Sequence, residues 1–202
     1  MTHESNPEKL PKTARGRQTR DKLLQAAEIE FGKQGFHEAS VSGITHKAGV
    51  ALGTFYTYFE SKEEIYRALV GYMSHRVRSW IAKRVADSPD RISAERDGLR
   101  AYLEFVREHP GLYRIISEAE FVANDAYMKH YTGIASAYTA NLTSANDRSE
   151  IRDGDFEVWS WAIMGMMVFL GMRYGEWDQQ MDPADIARHA GELLANGIAE
   201  RK

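Results

Sequence analysis

Ser40-Val41-Ser42-Gly43-Ile44-Thr45-His46-Lys47-Ala48-Gly49-Val50-Ala51-Leu52-Gly53-Thr54-Phe55-Tyr56-Thr57-Tyr58-Phe59 is the stretch that decides the fold. Ser40 stands where an N-cap accepts a backbone N–H, opening a short helix that ends near Ala48. Gly49 supplies the positive φ of a tight turn, and a second short helix runs from about Leu52 to Phe59. This is a helix-turn-helix pattern, in which the first helix crosses a DNA backbone and the second enters the major groove, ~12 Å wide. Ile44, Ala48, Val50 and Phe55 are apolar and hold the two helices at a fixed angle. Leu52, Gly53, Thr54, Tyr56, Thr57 and Tyr58 are left facing outward or sideways, and hydroxyls and phenols suit base edges, thymine methyls and phosphates.

Upstream, Leu23, Leu24, Ala27 and Phe31 share one helical face, Gly35 gives a left-handed stop and Phe36 folds back. Residues 1–14 are polar, carry two prolines and read as a disordered basic arm. The formal net charge of the 202 residues is −3, which argues against a polyanionic partner until it is divided. Residues 1–62 hold nine basic and seven acidic side chains, a net +2, which leaves −5 for the other 140. Between Lys9 and Lys22, six cations face only Asp21, a pattern that suits phosphate contacts as well as a solvated tail.

Downstream, Ser61-Lys62-Glu63-Glu64 is a capping box that opens a long helix ending before Ser88-Pro89. Amphipathic stripes follow at Leu99–Val106, Leu112–Val122, Tyr127–Leu142 and Phe156 to about Trp177, and Asp182-Pro183 caps a last helix. No segment alternates as a strand does, so the fold class is all-α with about nine helices. The expected organisation is an arm over 1–14, a helix-turn-helix domain over 15–62, and a ligand-binding and dimerisation domain over 63–202, with no flexible linker between the last two.

The absence of cysteine excludes a disulfide scaffold, a zinc ribbon, an iron–sulfur site and a cysteine nucleophile. The chain has no HExxH, GxSxG, P-loop or GxGxxG motif, and its seven histidines lack ligand spacing, so neither enzyme activity nor a cofactor or metal is expected. Glu118 and Glu120 lie two apart and point to different helix faces. The longest apolar stretch, Trp159–Met172, is too short to span a bilayer, and the N-terminus lacks a signal-peptide core, which points to the cytoplasm.

From Gly35 to Glu63, with Ala26-Ala27 and Phe31 before it, the chain resembles the TetR family of transcriptional regulators. The Ala-Gly-Val, Gly-Thr-Phe-Tyr, Tyr-Phe and Ser-Lys-Glu elements occur together in register, over about a quarter of the chain. The resemblance implies a homodimer that places two recognition helices on a palindromic operator in double-stranded DNA. It also implies DNA contacts by Thr54 and Tyr56, half-site choice by Leu52, Gly53 and Tyr58, and a phosphate contact by Lys62. Ser42, Thr45 and Lys47 on the preceding helix are placed to reach the backbone, and Arg15 and Arg17 to reach the minor groove or phosphates.

Thirteen of the 22 aromatic residues fall between Tyr102 and Trp177, an excess of phenols over what plain helix packing uses. The expected effector is a small, mainly apolar or aromatic molecule, of which an acyl-CoA or a fatty acid is one kind. Its expected contacts are Tyr102, Tyr113, Phe121, Tyr127, Tyr131, Trp159 and Met166, with Glu118, Glu120, His130 or Arg173 as polar anchors. Ala162, Gly165 and Gly171 are small residues in the helix at about 156–177, which with the helix at 183–199 suits a dimer interface. An effector-released repressor is the reading this favours. Its rivals are an activator or corepressor-dependent regulator of the same fold, and a helical protein-interaction module that does not bind DNA.

Overall fold

Capped, one-sided apolar segments turn residues 11–197, those described by the computed structural model, into helix after helix. These are α1 (Ala14–Glu38), α2 (Val41–Ala48), α3 (Leu52–Tyr58), α4 (Lys62–Val85), α5 (Arg91–Glu108), α6 (Leu112–Val122), α7 (Asn124–Asp147), α8 (Phe156–Gly171) and α9 (Pro183–Asn196). A π-helical segment, Met172–Trp177, continues α8. The expected all-α class with about nine helices holds among the described residues, where no strand occurs. Of the expected arm, residues 1–10 lie outside the described residues, and so do residues 198 and 199 of the expected last helix.

The caps form as the sequence dictates. Ser40 Oγ accepts the Gly43 N–H at 3.0 Å, Asp155 caps α8, and Asp182 caps α9 ahead of Pro183. Gly49 takes the left-handed conformation, φ 66°, between α2 and α3. At the head of α4, Ser61 Oγ accepts the Glu64 N–H at 3.1 Å, while the Glu64 carboxylate reaches back to the N–H of Glu60 rather than that of Ser61. The helix expected over 156–177 changes character at Gly171. Gly175 lies so close to α5 that a Cβ there would stand 2.6 Å from Val106 Cγ1. The Arg107 guanidinium donates to the carbonyls of Tyr174 and Met181 at 2.9 and 2.7 Å, holding the widened turn and the loop after it.

Packing divides the chain into two compact units. The first joins the described residues up to Tyr72 to Gly111–Tyr127, and the second joins Met73–Pro110 to the residues from Met128 onward. The sequence places a boundary at residue 62, whereas packing carries the first unit to residue 72 and returns α6 to it. Its core holds Leu23, Leu24, Phe31, Phe55, Phe59, Ile65, Tyr66 and Ile115, all buried. The Phe31 and Tyr66 rings meet edge-to-face with centroids 4.8 Å apart, and the Tyr66 hydroxyl donates to the Ile115 carbonyl at 2.7 Å. Burial, with the Glu118 charge second, holds the Tyr66 phenol well above its ordinary range, so it remains a donor.

In the second unit α5 packs on α9, α8 and the π segment. Its core is Leu99, Leu103, Leu142, Ile163, Met167, Ile186, Ala187 and Ala190, with Tyr102, Tyr138, Trp159 and Met166 packed at the margin. Glu95, only 5% exposed, is paired with Arg91 and accepts the Tyr138 hydroxyl, so this buried carboxylate is satisfied on both oxygens. Burial first, then the Glu95 charge, pushes the Tyr138 phenol up.

His130 of α7 gives this unit a pH dependence. Its Nδ1 lies 2.5 Å from Ser74 Oγ, and burial, followed by the Arg78 charge, lowers its pKa from 6.5 to about 4. Between those values the unfolded chain binds a proton that the folded chain does not, so folding loses stability as pH falls from 6.5 to 4. The full loss is on the order of 3 kcal/mol. His130→Gln should flatten the acid limb of a stability-against-pH curve over that window; a curve superimposable on the wild type would rule out this origin.

Candidate nucleic-acid interface

The turn at Gly49 and the buried Phe55 leave one face of α3 in solvent. Leu52 is 48% exposed and Tyr56 53%, with Gly53 and Thr57 exposed beside them and Thr54 and Tyr58 half-buried. The Tyr56 ring stands edge-on to Phe55, centroids 5.2 Å apart, while the residue stays half exposed. A Cβ on Gly53 would meet nothing within 4 Å, so the fold itself has no need of glycine there, although glycine in a helix costs ~1 kcal/mol. Leu52, Gly53, Thr54, Tyr56 and Tyr58 thus share one short helix, and Ser42 is exposed on α2.

Three other expected contacts are built into the fold. Thr45 is 5% exposed and donates its hydroxyl to the Ser42 carbonyl at 3.1 Å, which withdraws it from the surface. Lys47 pairs at 2.7 Å with Glu30 of α1, a carboxylate whose side chain is 3% exposed. Lys62 directs its ammonium at the carbonyls of Phe36, His37 and Ala39, at 2.8, 3.1 and 3.0 Å, and lies 4.5 Å from the Phe36 ring centroid. Its three protons all point at carbonyls that close the end of α1. On the other side of the same loop, the Glu118 carboxylate accepts the Phe36 N–H at 2.7 Å. Glu118 is thereby a brace within the first unit rather than an effector anchor.

Glu30 is the residue the sequence reading overlooked. It lies three positions after Ala27 and one before Phe31, on the face already assigned to the core, and only its charge disguised it. Arg15 and Arg17 are exposed near the start of α1, where Thr13 Oγ caps the Gly16 N–H at 3.1 Å.

The residues expected to touch an effector fall in both units. Tyr113, Phe121 and Tyr127 belong to the first, with Phe121 86% exposed; Tyr102, Tyr131, Trp159 and Met166 belong to the second. Trp159 is wedged between Gly154, the Phe156 ring and the Arg152 guanidinium, 4.6 Å from its ring centroid. A groove of about 630 Å³ between α7 and α8 is lined by Thr132, Ser136, Thr139, Thr143, Glu157 and Trp161 among others, and by none of the seven expected residues. No helix among the described residues is long and apolar enough to cross a membrane, and no group of His, Asp or Glu there is placed to hold a metal ion.

A buried three-helix core presenting the exposed face of a seven-residue helix after a left-handed glycine turn defines a helix-turn-helix protein. Residues 23–69 match the family model described as bacterial regulatory proteins, tetR family. It is 46% identical over 65 residues to the HTH-type transcriptional regulator YdgC of Bacillus subtilis (strain 168), covering 32% of this chain and 33% of that relative. The chain thus spans about a third of that relative's length. With the fatty acid metabolism regulator protein of Bacillus subtilis (strain 168) it shares 24% identity over 184 residues, 87% of this chain and 93% of that protein. The fold matches the crystal structure of FadR from Bacillus subtilis in complex with stearoyl-CoA with a TM-score of 0.75, at 20% identity, over 89% of this chain and 99% of that one.

Proposed function

We propose that the protein is a homodimeric, sequence-specific DNA-binding transcriptional regulator without enzyme activity, acting in the cytoplasm as a repressor released from a palindromic operator by a small acyl effector. The observation that carries DNA binding is the α3 face of Leu52, Gly53, Tyr56 and Thr57, held outward by a packed helix-turn-helix and using a glycine that the fold does not need. Tyr56 and Thr54 read the operator, while Leu52 and Gly53 allow close approach without a base-specific hydrogen bond.

The dimer reading is supported by α8. Val158, Trp161 and Phe169 are 59, 44 and 67% exposed and recur with Ala162 and Gly165 along one stripe. A Cβ on Gly165 would meet nothing within 4 Å, as at a surface that awaits a second helix. Leu193 of α9, 44% exposed, extends the apolar surface. Two copies would present their recognition helices to half-sites ~34–36 Å apart, one helical turn.

The effector reading rests on the relatives named for fatty acid metabolism and on a neighbour solved with stearoyl-CoA. We assign it to the second unit, with Tyr102, Tyr131, Trp159 and Met166 as the residues of choice. To release DNA it must favour the non-binding state, typically by ~1–3 kcal/mol.

Selection of bound fragments from random duplex DNA tests the whole reading. A recovered palindrome establishes operator binding by a symmetric dimer, and Tyr56→Ala should then weaken binding at least tenfold, ~1.4 kcal/mol or more. Phe169→Asp should give a monomer in sedimentation and lose the palindrome. Recovery of no preferred sequence, with salt-independent retention of DNA, would remove the regulator reading.

A further inference from the structure

We propose that Tyr58 acts as a positioning residue, locking the basic segment Lys12–Arg17 beside the end of α3 so that arm and recognition helix meet DNA as one surface. The proposal rests on the DNA-binding reading and reassigns Tyr58, which the resemblance places at half-site choice.

Four observations carry it. Tyr58 is the last residue of α3 and is half-buried, whereas Tyr56 on the same helix is 53% exposed. What it faces is Gly16, where a Cβ would lie 3.6 Å from the Tyr58 hydroxyl oxygen. The same Cβ would stand 2.8 Å from Pro11 Cβ and 3.1 Å from Thr13 Oγ1, so the chain before α1 is folded down onto Gly16 and its place depends on that residue having no side chain. Finally, the Arg17 guanidinium donates to the Lys12 carbonyl at 3.2 Å, and Thr13 accepts the Gly16 N–H, so the orientation of both cations follows the fold of this segment.

Lys12, Arg15 and Arg17 are all exposed, and the tyrosine under the turn sets where they leave the protein. A displaced segment keeps its charges but loses their register with the phosphates that α3 addresses. The loss is therefore read in the salt dependence of binding, which counts phosphate contacts, rather than in folding.

The test is equilibrium binding of the full-length chain to its selected duplex at several salt concentrations, with a thermal melt of each variant. Gly16→Ala and Tyr58→Ala should each make the slope of log K against log salt shallower by about one to two. That shrinks the drop in affinity between 50 and 200 mM salt by roughly 4- to 16-fold. Gly16→Ala should leave the melting temperature unchanged, and Tyr58→Phe, which removes only the hydroxyl that faces Gly16, should show the same shallower slope. In Lys12→Ala/Arg17→Ala, adding Gly16→Ala should change nothing further. A wild-type slope in Gly16→Ala, additive loss in the triple variant, or a wild-type slope in Tyr58→Phe would each overturn the proposal. A wild-type chain that binds no duplex overturns the DNA-binding reading instead.

Discussion

Alanine at position 111 should lower the stability of the first unit by about 4 kcal/mol or more, the range reached when backbone strain and a core clash coincide. Gly111 precedes α6 with φ 94°, a conformation that costs an L-residue roughly 1–2 kcal/mol. The added Cβ would also lie 2.5 Å from Gly32 Cα, and backbone at that range has no flexible end to yield. Relief requires the start of α6 to lift from α1, which loosens the buried Leu112, Ile115 and Ile116 and the bond from the Arg114 guanidinium to the Lys33 carbonyl, 2.8 Å. For a chain of 202 residues this corresponds to a fall in melting temperature of about 10 °C. A melt by circular dichroism checks it, and a midpoint within two or so degrees of wild type would show that the helix pair can part at little cost.

Lys47→Met should destabilise the same unit by about 2–3 kcal/mol, because it strands the Glu30 carboxylate beneath α2. Loss of one partner of a deeply buried pair costs more, but the Lys47 side chain is 36% exposed and water moderates the penalty. The carboxylate cannot easily turn aside, since its Oε1 occupies the space where a Cβ of Gly43 would fall. In the double variant Glu30→Leu/Lys47→Met the charge is gone and most of the stability should return. DNA binding then separates the two roles given to this lysine. If Lys47 serves by seating α2, affinity returns with stability in the double variant. A double variant that is stable yet binds as weakly as Lys47→Met would restore the phosphate contact expected from the sequence.

Why some of this was legible in the sequence and some was not follows from distance along the chain. The caps at Ser40, Ser61 and Asp182, the turn at Gly49 and the outward face of α3 are set by residues within four positions of each other, and reading them in order recovers them. Charge misleads at longer range. Lys47 and Lys62 look like surface cations, but the groups that claim them, Glu30 and the carbonyls of Phe36, His37 and Ala39, lie 17 to 26 residues away. The same holds for Glu118, whose partner is 82 residues distant. An aromatic excess is a composition, not a place, so the seven residues drawn from it scatter over two units. Similarly, periodicity runs through Gly171 without registering that the turn widens where Gly175 meets Val106.

The return of α6 to the first unit also bears on when that unit comes into being. A chain made from its N-terminus delivers α1 to α3 and the start of α4 early, yet the Tyr66 hydroxyl has no acceptor until Ile115 has been added, nor does Gly32 have its covering strand of backbone until Gly111. At ordinary rates of synthesis the interval from residue 72 to residue 127 is on the order of several seconds. During it α3 exists on a half-built support. The exposed face of α3 gains its full support only once the residues up to Tyr127 have been made.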